Sequence, residues 1–336
     1  MKVKFCGFKY KRITGNWSTM YQRVLKSFYD LGADIEISPH LALEADGKLA
    51  KLSFGKIGIT DEEDAIYVYN HTNVSELKRN EHHFGKQCLI LKPTGPTPNH
   101  FSIDELGYAS YSSLAYEKPQ YESYVSNFRK TSKQLIKEKQ NKWSDRNDLK
   151  SVDLDVSIPN NHVLIMGQMP GDDTVLKQSF GSHWEKLIAV VWQLYGKYPL
   201  VIKLHPTLEE EITKEGNWEM YRKQIEIWKK DGINVLYGKE SLHDVLPKTK
   251  VAIVENSTAG VECMIHDVPI ISYGYPEYHW ITKDVRHLPD IDRHIDDLSW
   301  WNKLKSRQFL AWYCEQYLCY DQESTNRRIK CLVTKE

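Results

Sequence analysis

The chain has 336 residues, 45 Lys+Arg against 45 Asp+Glu, 41% hydrophobic and 12% aromatic. That length exceeds a typical single core and points to two domains, and the balanced charge excludes the basic excess of a nucleic-acid binder. No window approaches the ~20 apolar residues of a membrane span, "MKVKFCGFKYKR" lacks the apolar run of a signal peptide, and the six scattered cysteines form no CxxC pair, so a cytoplasmic protein with reduced thiols and no metal is expected.

Residues 1–7 read as a first strand. A helix follows, capped at Ser18, with Tyr21, Val24, Leu25 and Phe28 on its apolar face. Strands are expected at 34–37, in "DAIYVYNH" and in "QCLILKP", where Pro93 ends the run. "TGPTPNHFSIDELG" reads as a Gly/Pro loop, and the polar, charged stretch 117–149 as an exposed helix and interdomain linker.

The pattern then restarts. "HVLIM" is a strand, "HWEKLIAVVWQLYGKY" a helix, "PLVIKLHP" a strand, and "EMYRKQIEIWKKDG" a helix with Gly232 as its C-cap. "INVLYG" is a strand, and "VAIVENSTAGVECMIHDVPIISYG" reads strand, loop, helix, strand. "SWWNKLKSRQFLAWYCEQYLC" reads as one long amphipathic helix. Alternation of strands and helices predicts an α/β fold with parallel sheets. The expected layout is two Rossmann-like domains, 1–150 on the acceptor side and 151–336 on the nucleotide side. This is a GT-B type arrangement, with a cleft between the domains and a C-terminal amphipathic helix.

Three segments carry candidate chemistry. In "LVIKLHP", Lys203 and His205 fall on one side of an extended strand and could neutralise a phosphate. In "ENSTAGVE", Asn256, Ser257, Thr258, Ala259 and Gly260 form a small-residue turn before a helix, which suits either an anion site or a simple capped helix. Glu262, one turn in, could accept ribose hydroxyls or merely complement the helix dipole. In "GQMPGDD", Gln168 and Gly171 precede Asp172 and Asp173, either of which could be a nucleophile or general base, or instead belong to a metal site or an Asx turn. His40, His82 and His83 have no partner at ligand spacing, and Tyr273, Tyr275, Tyr278 and Trp280 could line a base or acceptor pocket or only pack.

These segments, in this order, resemble the capsule polysaccharide biosynthesis proteins, the family that includes retaining β-Kdo glycosyltransferases. The match runs over about 163–274 and carries Q-x-P-x-D, K-x-H-P and S/T-x-G-x-E patterns. In the first half, Gly95, Asp104, Gly107, Ser112 and Ser113 are similar to the family's acceptor-side segment. Lys92-Pro93-Thr94 stands where the family usually has an acidic residue. The resemblance implies a metal-independent enzyme with no cofactor and a CMP-activated sugar donor such as CMP-Kdo. Its acceptor would be a saccharide or lipid-linked, reached at the inner face of the membrane. Asp172 matches the proposed nucleophile, Lys203 and His205 the phosphate motif, and Ser257, Thr258 and Glu262 the nucleotide-binding helix start. The basic residues Lys9, Lys11, Arg12, Arg129, Lys130, Lys133 and Lys137 could touch acidic lipid, although charge runs are usually solvated. Two further readings stay open: a GT-B enzyme with a UDP-sugar donor (transferase or epimerase), and a non-catalytic nucleotide- or sugar-binding relative.

Overall fold

A computed structural model describes residues 1–6, 18–37, 64–79, 87–146, 148–170, 172–176, 182–208, 210, 213 and 218–334; at Ser18, Glu76, Lys78, Arg79, Asp173 and Leu176 it describes the backbone alone. Lys9, Lys11, Arg12, His40, His82, His83 and Gly171 lie outside these residues. The chain forms two compact units, Met1–Glu117 with Tyr313–Glu336, and Lys118–Trp312. The boundary expected at 150 therefore sits near 117, and the C-terminal segment returns to the first unit.

The first unit holds a six-stranded sheet in the order β12-β5-β4-β3-β1-β2. Its strands are β1 (Lys2–Cys6), β2 (Asp34–Ile37), β3 (Ala65–Asn70), β4 (Cys88–Pro93), β5 (Phe101–Asp104) and β12 (Leu318–Cys319). β2, β1, β3 and β4 run parallel, whereas β5 and β12 pair antiparallel. Val3, Phe5, Val68 and Leu89 bury one face against Tyr21, Val24 and Phe28 of helix Ser18–Asp30, and against Ile329 of helix Gln322–Thr334. Tyr67, Tyr69 and Ile90 bury the opposite face. A sheet covered on both faces produces the near-continuous apolar runs of these strands.

Two elements differ from the sequence reading. Residues 101–104 form a buried strand inside the expected loop, because Gly95, at φ 101°, reverses the chain tightly; a Cβ there would meet Leu318 Cδ1 at 2.6 Å and His100 Cβ at 2.8 Å. The single helix expected over 299–319 is instead helix Lys303–Trp312, a π turn Tyr313–Tyr317, and β12. The π turn releases Leu318 and Cys319 to pair with Ser102 and Phe101. The C-terminal helix that does form is Gln322–Thr334.

The second unit holds a second six-stranded sheet, all parallel, in the order β11-β10-β9-β6-β7-β8. Its strands are β6 (His162–Met166), β7 (Leu200–Lys203), β8 (Asn234–Leu236), β9 (Thr249–Val254), β10 (Ile270–Ser272) and β11 (Lys283–Asp284). Helix His183–Leu194 starts with a capping box between Ser182 and Glu185. Gly232, at φ 80°, ends helix Trp218–Lys230, with Ile233 N–H donating to Trp228 O at 2.9 Å. Residues 118–150 belong to this unit. Arg129, on helix Phe128–Lys137, pairs with Asp267, which also takes Arg307 and Lys303. Among the described residues, no helix is long and apolar enough to cross a membrane.

A histidine pair ties residues 138–146 into the second unit. His243 Nε2–H donates to Gln140 O at 2.7 Å, and its Nδ1 lies 2.8 Å from His266 Nε2. With His243 Nε2 carrying the proton, Nδ1 accepts from His266 Nε2–H, so His243 must be neutral. Burial lowers both pKa values, that of His266 to about 4. An unfolded histidine protonates near ~6.5, so between there and about 4 the unfolded chain binds more protons and stability falls with pH. Melting temperature measured across that window should drop, and His266→Gln should flatten the drop; parallel curves for the two proteins would contradict the assignment.

Candidate functional site

β6, β7 and β9 are neighbours in register, with Met166 opposite Lys203 and Ile165 opposite Ile253. Their C-terminal ends therefore bring Gly167-Gln168, Leu204-His205 and Glu255–Ala259 to one edge, where open parallel sheets hold ligands. A pocket at this edge is lined by Lys203, His205, Ser257, Thr258, Ala259 and Glu262, together with Lys142 and Trp143. The K-x-H-P strand end and the S-T-A-G turn thus line one pocket.

The two residues of the strand end behave differently. Lys203 is buried and its Nζ donates to Gly238 O at 2.5 Å. Burial holds it down to about 8, with Glu240 and Glu262 opposing. Gly238, at φ 102°, lets its loop approach the strand end; a Cβ would sit 2.7 Å from Leu204 O and from Pro206 N. His205 Nδ1 accepts from Thr207 N–H at 3.3 Å and lies 2.8 Å from Thr207 Oγ1. The ring proton is therefore on Nε2, which makes that nitrogen a donor.

The turn after β9 differs from the expected capped helix. Helix Gly260–Ile265 has Ala259 at its N-cap with no side-chain cap bond, and Ser257 Oγ accepts from Ala259 N–H at 3.3 Å. Gly260 is small for a packing reason: a Cβ would lie 2.1 Å from Tyr278 Cζ. The Tyr278 hydroxyl donates to Ser257 O, so the tyrosine holds the turn from beneath. Tyr273 belongs to the sheet core. Glu262 is 6% exposed and its Oε2 has no hydrogen-bond partner. Burial pushes its carboxyl up to about 7, opposed by its backbone hydrogen bond and by Lys142 and Lys203. A buried oxygen with no partner beside the pocket is positioned for a donor from a ligand.

Lys142 and Trp143 were not legible as site residues, since they fall in the expected linker. Lys142 Nζ donates to Thr258 Oγ1 at 2.5 Å and sits 4.8 Å from the Trp143 ring centroid. Trp143 meets His205 edge-to-face, centroids 6.3 Å apart. The visible signal was a tryptophan within a charged run.

Gln168 and Asn256 serve the scaffold. Gln168 Oε1 accepts from Asn256 N–H at 2.6 Å, and Asn256 Nδ2 donates to Thr174 O at 2.8 Å. Behind them, His183 Nε2 accepts from Gln168 N–H at 2.7 Å, His183 Nδ1–H donates to Glu255 at 2.5 Å, and Lys186 pairs with Glu255. This chain locks the loop after β6 to the turn after β9, and nothing in the sequence spacing marked it. Asp172 is half-buried, and its Oδ1 accepts from Thr174 N–H at 2.9 Å and Thr174 Oγ1 at 2.6 Å, starting helix Asp173–Leu176. It is not among the residues lining the pocket.

In the first unit, Asp104 is fully buried. Its oxygens accept from Leu106 N–H, Gly107 N–H and Ser113 N–H at 2.8, 3.1 and 2.9 Å, from Ser113 Oγ at 2.6 Å and from Tyr317 Oη at 3.0 Å. A carboxylate so occupied organises the 104–113 loop. Ser112 Oγ donates to Ala109 O at 2.9 Å. Gly95 answers the steric demand described above. Lys92 contacts His71 and lies 4.3 Å from the Tyr108 ring centroid.

Comparison with solved structures finds similarity to Thermosulfurimonas dismutans KpsC, beta Kdo 2,4 transferase, at 15% identity over 99% of this chain and 98% of that one, TM-score 0.56. The T. dismutans KpsC beta Kdo 2,7 transferase is similar at 15% identity over 100% and 99%, TM-score 0.52. The shared fold is the two-sheet GT-B type described above. No curated protein matches in sequence. Residues 102–289, more than half of the chain, match the family described as capsule polysaccharide biosynthesis protein. With the K-x-H-P strand end and the S-T-A-G turn brought to one pocket, the chain belongs to the capsule polysaccharide biosynthesis protein family.

Proposed function

We infer that this protein is a metal-independent, retaining glycosyltransferase that takes a sugar, Kdo in the first instance, from a CMP-activated donor. The observation that carries this reading is the pocket joining His205, the 257–259 turn and the unpartnered Oε2 of Glu262. Glu262 would accept the ribose hydroxyls, and the turn and His205 Nε2–H would meet the phosphate. Asp172 would attack the anomeric carbon as the bond to the CMP phosphate breaks. An acceptor hydroxyl would then displace Asp172, and two inversions give retention. The names of the two KpsC structures agree with such a sugar.

The acceptor would be a saccharide or lipid-linked and reached from the cytoplasm, with the exposed Lys130, Lys133 and Lys137 available to acidic lipid. A non-catalytic nucleotide-binding relative is the second reading. What favours it is the occupied Asp104 carboxylate together with Lys92 in the place of an acid.

Calorimetric titration with CMP, UMP and UDP tests the first reading. CMP should bind most tightly, and His205→Ala should weaken it by about 10- to 100-fold, the loss of one charge-assisted hydrogen bond. Preference for UDP would move the donor to a UDP-sugar, and absence of any nucleotide binding would refute the site.

A further inference from the structure

Residues 139–144 are held far more firmly than a solvent-facing connection requires. Asn141 Oδ1 accepts from Trp143 N–H at 2.8 Å, its Nδ2 donates to Ser151 Oγ at 2.7 Å, and its backbone N–H donates to Ser144 Oγ at 2.9 Å. Lys139 Nζ reaches Asp153 at 2.5 Å and Asp244 at 2.9 Å, and His243 holds Gln140 O. The effect is to carry Lys142 and Trp143 into the pocket.

There the Lys142 ammonium has one hydroxyl partner, Thr258 Oγ1, and the face of Trp143. Among the described residues it makes no ion pair. An ammonium has three donors, and holding it half-buried with so few partners is costly unless an anion arrives. Burial accordingly lowers its pKa, while the charges of Glu262 and Asp172 both raise it. Those two carboxylates bracket the donor in the reading above, one at the ribose and one at the anomeric carbon. The atom group that joins ribose to sugar is the phosphate. Lys142 lines the pocket beside Thr258, Ser257 and His205, the groups that meet the phosphate in that reading. Lys203, the cation marked by the sequence motif, instead directs its Nζ to the Gly238 carbonyl.

We propose that Lys142 is the lysine that binds the donor phosphate, bridging Thr258 and a phosphate oxygen, and that Lys203 acts by holding the Gly238 loop. This rests on the nucleotide-site reading. The test is CMP titration of wild type, Lys142→Met and Lys142→Arg at several salt concentrations. Lys142→Met keeps an unbranched stem against Trp143, and should weaken CMP by about 10- to 100-fold and flatten the salt dependence of binding. Lys142→Arg keeps the charge and should retain the salt dependence. Unchanged CMP affinity in Lys142→Met overturns the proposal. So does weaker binding with an unchanged salt dependence, which is the signature of a purely structural loss. Failure of wild type itself to bind CMP overturns the nucleotide-site reading, and is distinguished by appearing before any substitution is made.

Discussion

Asp172→Asn is expected to lower sugar transfer by about 10³-fold or more while leaving both the melting temperature and CMP affinity nearly unchanged. The expectation comes from the two tasks that the proposed function gives to one carboxylate. Oδ1 accepts from the Thr174 backbone and hydroxyl and so starts helix Asp173–Leu176. An asparagine oxygen accepts the same two bonds, so the loop should persist. An amide cannot form and release the glycosyl ester, so chemistry should stop. Asp172→Ala removes both functions and should also lose about 1 kcal/mol of stability through the missing cap. Measuring transfer, melting and CMP binding on the same three proteins separates these effects. Full activity in Asp172→Asn would leave Asp172 as a helix cap and move the nucleophile elsewhere in the loop.

Asp104→Ala should destabilise the protein by about 3–5 kcal/mol, because it strips acceptors from several buried donors at once. Leu106, Gly107 and Ser113 N–H groups, the Ser113 hydroxyl and the Tyr317 hydroxyl all point at this carboxylate. Two of the elements concerned lie far apart in sequence, since Tyr317 sits 213 positions from Asp104. Asp104→Asn should cost less, about 1–3 kcal/mol, because its amide oxygen still serves some donors while its NH₂ faces others. Denaturant unfolding of both variants provides the check. An acceptor-side acid or base would give the opposite pattern, with activity lost and stability preserved. The motif-level similarity placed Asp104 at the acceptor side; its hydrogen bonds give it a structural task there.

Much of this could be read without coordinates. Val163 to Met166, Leu200 to Ile202 and Val251 to Val254 are apolar runs of strand length with turn residues at their ends, and all three are buried strands. Ser182 with Glu185 and Gly232 delimit helices through bonds to backbone groups only a few residues away. Local periodicity and capping chemistry are properties of short windows, which is why they survive in a bare sequence. The same holds for K-x-H-P and the S-T-A-G turn: each is a strand end followed by a loop, and parallel topology then forces such ends to one edge.

Partners at long range decided the rest. The run around Lys142 looks solvated because it is polar and charged, yet Lys142 meets Thr258 across 116 positions and Trp143 meets His205. Leu318 and Cys319 continue a helical pattern in sequence, yet become a strand because the edge of β5 offers backbone partners. Lys203 and Asp104 occupy their motif positions, but where their charges are used depends on which carbonyl or N–H groups the fold brings near. The residues by themselves determined a parallel α/β protein with a phosphate-suited strand end. Tertiary structure alone decided which of the two pocket lysines gives its ammonium to a backbone carbonyl and which carboxylates are already occupied, because burial and hydrogen-bond supply are set by elements that the chain brings together only on folding.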